Sequence, residues 1–210
     1  MEIRMDGRVA LITGGSKGLG YAMGLKFAES GAQIALAART DAEVTDAALR
    51  IAQASGQKAI GYVCDVADAE ASKRLHQAVI TDFESIDILV NNAAVTYFER
   101  VRNFQKKHFD LMFLVQVEAP FALAQRVLPG MIERRQGAIL NVSSHAARHP
   151  AIDVGGRGGT VYGMCKAALE RFSTGLASEV FDQGIAVNVI SPGLVATPGV
   201  LHHNLINEDT

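Results

Sequence analysis

The chain has 210 residues, 49% hydrophobic and 20% charged, enough for one globular domain (1–210) with a sizeable core. A formal net charge of -2, with basic pairs such as Lys106-Lys107 and Arg134-Arg135 set among apolar residues, argues against nucleic acid or an anionic membrane as partner. No uninterrupted apolar run reaches the roughly 18 residues of a membrane span, and the opening "MEIRMDGRVALIT" carries acids and does not read as a signal peptide. Cys64 and Cys165 therefore read as reduced thiols in a cytoplasmic protein. No Cys/His cluster has metal-ligand spacing, so no metal is expected.

In chain order, short apolar runs alternate with longer helical patterns. The runs are "RVALIT" (8–13), "QIALAA" (33–38), "AIGYV" (59–63), "IDILVN" (86–91), "AILNVS" (138–143) and "IAVNVI" (185–190). Each is apolar on both alternating faces, as in strands of a parallel sheet covered on both sides. Helices are predicted over 18–30, 41–55, 67–83, 104–134 and 161–182, with Gly31 and Gly184 as stop signals. Six strands joined by long crossovers predict right-handed β-α-β units in an α/β, doubly wound sheet.

The first strand runs directly into "TGGSKGLG", residues 13–20. Gly14, Gly18 and Gly20 permit a sharp turn, and backbone N–H groups at the following helix start suit a pyrophosphate. "GGSKG" also fits the nucleophile elbow of an α/β-hydrolase, with Ser16 as nucleophile. Only one strand precedes it, and His202 and His203 lie in a polar tail, so this serine hydrolase is the weaker alternative. The second strand ends in Ala38, where an acid would suit the ribose 2′-OH of NAD, and Arg39 follows. Arg39, with Lys17 nearby, suits the 2′-phosphate of NADP(H), with NAD(H) the second choice. In "TVYGMCKAAL" (160–169), Tyr162 and Lys166 stand at i and i+4, so phenol and ammonium share a helix face. A neighbouring cation is expected to lower the phenol's pKa and make Tyr162 a general acid/base.

"TGGSKGLG", "NNAA" (91–94), "NVSS" (141–144), "YGMCK" (162–166) and "SPGLVAT" (191–197) follow one another in a familiar order. From about residue 6 to 198 the chain resembles the short-chain dehydrogenase/reductase family. The resemblance implies a Rossmann-like three-layer sandwich, with sheet order 3-2-1-4-5-6. It implies that Ser144, Tyr162 and Lys166 form the catalytic group, with Gln116 standing where the family has a relay asparagine. It places Gly14, Ser16, Lys17, Gly18, Leu19 and Gly20 at the cofactor's phosphates and adenosine ribose, and Asp65 and Val66 at the adenine. Asn92 would contact the cofactor near the end of the fourth strand, Val195 and Thr197 would hold its nicotinamide carboxamide and pyrophosphate, and Lys166 the nicotinamide ribose. The implied activity is an oxidoreductase interconverting a secondary alcohol and a carbonyl, in a homodimer or homotetramer formed through helices 104–134 and 161–182. A nucleotide-binding protein of the same fold with weak turnover is the runner-up. Three features depart from the family pattern. They are Gln116, the glycine-rich insert "RHPAIDVGGRGG" before Tyr162, expected to be a mobile loop beside His145 and His149, and the short segment after Thr197. A seventh strand and its preceding helix pair are therefore expected to be absent.

Overall fold

The computed structural model describes residues 4–150, 158–193 and 195–197. The segment after Thr197, on which the expected absence of a seventh strand rests, and most of the glycine-rich insert lie outside them. Six strands, β1 (Val9–Thr13), β2 (Gln33–Ala38), β3 (Ala59–Val63), β4 (Ile88–Asn91), β5 (Gly137–Val142) and β6 (Ile185–Ile190), form one sheet in the order β3-β2-β1-β4-β5-β6. All pairings are parallel. The helices are α1 (Gly18–Glu29), α2 (Asp41–Ser55), α3 (Ala69–Phe83), α4 (Lys106–Phe113), α5 (Ala119–Glu133) and α6 (Thr160–Glu179).

Alternation along each strand divides the core in two. Ala10, Ile12, Ile34 and Leu36 face α1 and α2, where Ala28, Val44, Ala47 and Ile51 complete one cluster. Val9, Leu11, Ala35 and Ala37 point the other way, toward α3, α5 and α6, where Leu75, Val79, Leu123, Val127, Met131 and Leu176 complete the second. This is the sandwich that strands apolar on both faces require.

Helix 104–134 was expected to be one regular helix, and here the structure differs. A π-helical turn at Leu114–Glu118 separates α4 from α5. Pro120 has no N–H, so the Gln116 carbonyl lacks its ordinary i+4 donor, and the turn widens. The amide of Ala119 reaches back five residues to the Leu114 carbonyl. By length and composition alone Lys106–Arg134 could cross a bilayer, but 44% of its most apolar window is buried inside the fold, as in a core helix.

A polar ladder fixes α6 on the sheet. Asn91 Nδ2 donates to Asn141 Oδ1 (2.8 Å), Asn141 Nδ2 to Ser173 Oγ (2.8 Å), and Ser173 Oγ to the Leu169 carbonyl (2.7 Å). Each of these groups is buried, so the bonds are costly to break and set the height of α6 against β4 and β5.

Candidate active site

The glycine turn joins β1 to α1 at the C-terminal edge of the sheet. Gly14 (φ 64°) and Gly18 (φ 58°) are both left-handed, a conformation costly for other residues. Gly20, placed by the resemblance with the cofactor residues, is not among the residues lining the cleft. A Cβ there would lie 2.4 Å from the Gly14 carbonyl oxygen and 2.6 Å from Asn92 Nδ2, so its bareness seats the helix under the turn. Asn92 ties the end of β4 to that turn, donating from Nδ2 to the carbonyls of Thr13 (2.9 Å) and Gly14 (3.1 Å). Thr13 Oγ1 in return accepts from the N–H groups of Asn92 and Ala93.

A cleft of about 900 Å³ runs along this edge. Gly14, Ser16, Lys17, Gly18 and Leu19 line it, with Arg39 after β2, Asp65 and Val66 after β3, Asn92 after β4, and Val195 and Thr197 after β6. Thr197 lies across from Gly18: a methyl built on Gly18 would stand 3.6 Å from its Cβ. Asp65 turns one oxygen back to the Ala67 N–H (3.0 Å), which shapes the turn after β3. Ser16, the hydrolase candidate, donates to the Glu43 carboxylate at 3.4 Å. Among the described residues no group of three His, Cys, Asp or Glu side chains could hold a metal ion.

Ser144, Tyr162 and Lys166 line the same cleft. Lys166 is buried at 3% exposure, donates from Nζ to the Val142 carbonyl (2.8 Å), and lies 5.7 Å from the centre of the Tyr162 ring. Burial lowers its ammonium to about 8. The Tyr162 phenol shifts opposite to the expectation from spacing. Burial raises its pKa, and the hydrogen bond with Ser144 only partly offsets that. The i, i+4 geometry is as expected, but the ammonium is aimed at the Val142 carbonyl, and desolvation of the phenolate is the largest effect on the phenol.

Gln116 differs in place as well. It is 1% exposed and lies outside the cleft lining. Its Nε2 donates to the Val95 carbonyl (3.0 Å), while its buried Oε1 has no hydrogen-bond partner among the described residues. Gln116 is thus joined to the cleft through Val95, which lines it. His145 and His149 stack at 4.2 Å on the cleft wall.

Two carboxylates escaped the sequence reading. Glu43 pairs with Lys17 at 3.3 Å. Glu170 accepts from Ser143 Oγ (2.9 Å) and Arg148 Nε (2.8 Å). Burial pushes the Glu170 carboxyl up, but Arg148, Ser143 and Ser191 together hold it below its ordinary value. Glu170 falls one turn after Lys166, and that spacing was its only signal. Both cysteines are free thiols pushed up to about 11 by burial, so they are poor nucleophiles at neutral pH.

The sheet order and the glycine turn at its C-terminal edge define a Rossmann-like α/β protein. Residues 8–205 match the short chain dehydrogenase family, and the chain belongs to it. It is 34% identical over 194 residues to the hydroxy(phenyl)methylsuccinyl-CoA dehydrogenase subunit BbsD of Thauera aromatica, covering 92% of this chain and 75% of that one. It is 33% identical to the 3-oxoacyl-acyl-carrier-protein reductase FabG of Thermotoga maritima, covering 93% and 77%. Among solved structures, L-sorbose reductase of Gluconobacter frateurii with NADPH and L-sorbose superposes with a TM-score of 0.91 at 35% identity, covering 96% and 75%. A short chain dehydrogenase of Burkholderia cenocepacia with NADP gives 0.83 at 30% identity, covering 93% and 77%.

Proposed function

We propose that this chain is an NADP(H)-dependent oxidoreductase that interconverts a secondary alcohol and a carbonyl, with Tyr162 as general acid/base. The observation that carries the reading is one continuous cleft lined by both the glycine turn and the Ser144–Tyr162–Lys166 group. The residues present fit a dinucleotide. Gly14 and Gly18 keep the turn free of side chains at two cleft-lining positions, and Lys17 and Arg39 supply positive charge on the same cleft wall. The relatives crystallised with NADPH and NADP support the choice of cofactor. Thr197 and Val195 would hold the nicotinamide end, Asp65 and Val66 the adenine.

The bound dinucleotide would supply or accept hydride at nicotinamide C4. In the reducing direction Ser144 Oγ would donate a hydrogen bond to the substrate carbonyl oxygen. Tyr162 Oη would give that oxygen its proton as the carbon receives hydride, leaving a phenolate. The phenol, its pKa raised by burial, is protonated at neutral pH and so holds the proton this direction requires. Lys166, lowered to about 8, would return a proton to the phenolate and would hold the nicotinamide ribose. Gln116 positions Val95 through its Nε2 hydrogen bond to the Val95 carbonyl.

In this reading one domain carries both cofactor and substrate, and its setting is cytoplasmic, consistent with two unpaired thiols. The exposed apolar side chains Phe121, Ile132 and Met164 on α5 and α6 support pairing with further copies of the chain. The test is an NADPH titration with a panel of ketones and 3-oxoacyl thioesters, for wild type and Tyr162→Phe. Binding retained with turnover lowered by about 10²- to 10⁴-fold in the variant is expected. Binding without turnover in wild type would support the nucleotide-binding alternative. Ester cleavage lost in Ser16→Ala, with no nucleotide binding, would support the hydrolase.

A further inference from the structure

The start of α2 reads Thr40-x-x-Glu43, the pattern in which a glutamate in the first turn folds back on the cap residue's N–H. Here Thr40 caps nothing through its side chain. Glu43 is turned away from its own helix and across to the glycine turn. Its two oxygens receive Lys17 Nζ at 3.4 and 3.3 Å, and Oε2 also accepts from Ser16 Oγ at 3.4 Å. Lys17, Ser16 and Glu43 share the cleft wall with Arg39. On the cofactor reading above, on which this inference rests, that wall faces the adenosine ribose.

We propose that Glu43 is a specificity-determining residue that competes with the cofactor's 2′-phosphate for Lys17 and so narrows the preference for NADP(H) over NAD(H). A 2′-phosphate carries about two negative charges at neutral pH. To reach Lys17 it must displace a carboxylate already in place, and it then remains near a group of like charge. A 2′-hydroxyl meets no such opposition, because a carboxylate can accept its hydrogen bond. Arg39 is the second cation on this wall, so phosphate binding survives the competition but is weakened by it. The pair is partly exposed, with side chains 63% and 46% accessible, so the effect is moderate.

The adenosine halves of the two cofactors isolate this corner from the chemistry. The full chain is titrated calorimetrically with 2′,5′-ADP and with 5′-AMP, as wild type, Glu43→Gln, Lys17→Ala and the double variant, with folding checked by circular dichroism. Glu43→Gln is expected to tighten 2′,5′-ADP by about fivefold and to leave 5′-AMP within about twofold. In the Lys17→Ala background the gain is expected to vanish, since the competition is for Lys17. Unchanged or weaker 2′,5′-ADP binding in Glu43→Gln overturns the proposal. So does equal tightening of both ligands, or a gain that persists without Lys17. The cofactor reading fails on a separate result, a wild type that binds 5′-AMP as tightly as 2′,5′-ADP.

Discussion

Lys166 keeps 3% of its surface exposed and makes one hydrogen bond, to the Val142 carbonyl. Holding an ammonium there lowers its pKa from 10.5 to about 8, a cost on the order of 3 kcal/mol when it is charged. Because the folded value is the lower one, the unfolded chain binds the proton more tightly between about 8 and 10.5. This group therefore makes the fold more stable as pH rises through that window. Lys166→Met removes the titration. Chemical denaturation at pH 7 and at pH 10 is expected to show wild type gaining on Lys166→Met by up to about 3 kcal/mol over that range. A difference that stays constant with pH would contradict the buried-charge account. The spacing of Tyr162 and Lys166 was legible in the sequence, since i and i+4 share a face whatever surrounds them. The direction of the Tyr162 shift was not, because desolvation depends on what covers the ring. Phe98, which packs edge-on to Tyr162 at 6.1 Å, is 64 residues away in sequence. Glu43 was missed for a related reason. Its residue type fits a capping role, and only the packing of α2 beside the glycine turn gives it Lys17 as partner.

At the scale of elements, the strands and most helix ends were readable because their signals are local: apolar runs covered on both faces, and glycines such as Gly184 (φ 75°) at the stops. The π-helical turn was not readable from apolar periodicity, which continues smoothly from α4 into α5. Its sign was Pro120, which removes one i+4 donor and leaves the pattern of side chains unchanged. The turn brings Gln116 under the cleft with Nε2 on the Val95 carbonyl. Gln116→Ala would leave that carbonyl without its donor and is expected to lower turnover by roughly tenfold while changing its pH profile, with Gln116→Asn recovering part of the loss. Steady-state rates from pH 6 to 10 check this. A Gln116→Ala profile that overlays wild type would show that the turn has no part in proton transfer.

For the whole molecule, the doubly wound sheet followed from the β-α-β rhythm of the chain, its strand order from the family resemblance, and the two core clusters from strand alternation. Which outer faces remain uncovered is a property of the assembled layers, so it could be read only after assembly. Phe121 is 53% exposed on α5 and packs edge-on to Phe172 of α6, with Met164 and Ile132 each 40% exposed on the same two helices. Phe121→Asp is expected to shift the chain toward monomer in sedimentation velocity, and a sedimentation coefficient equal to wild type would remove α5 from the proposed interface. The central claim is that one cleft brings a nicotinamide dinucleotide and the Ser144–Tyr162–Lys166 group to the same substrate carbon. The most direct measurement is hydride transfer from 4-deuterated NADPH to a ketone the enzyme turns over, followed by mass spectrometry of the alcohol. Deuterium on the carbinol carbon with wild type, and its loss with Tyr162→Phe at matched NADPH occupancy, is the predicted result. Equal deuterium incorporation by Tyr162→Phe would contradict it.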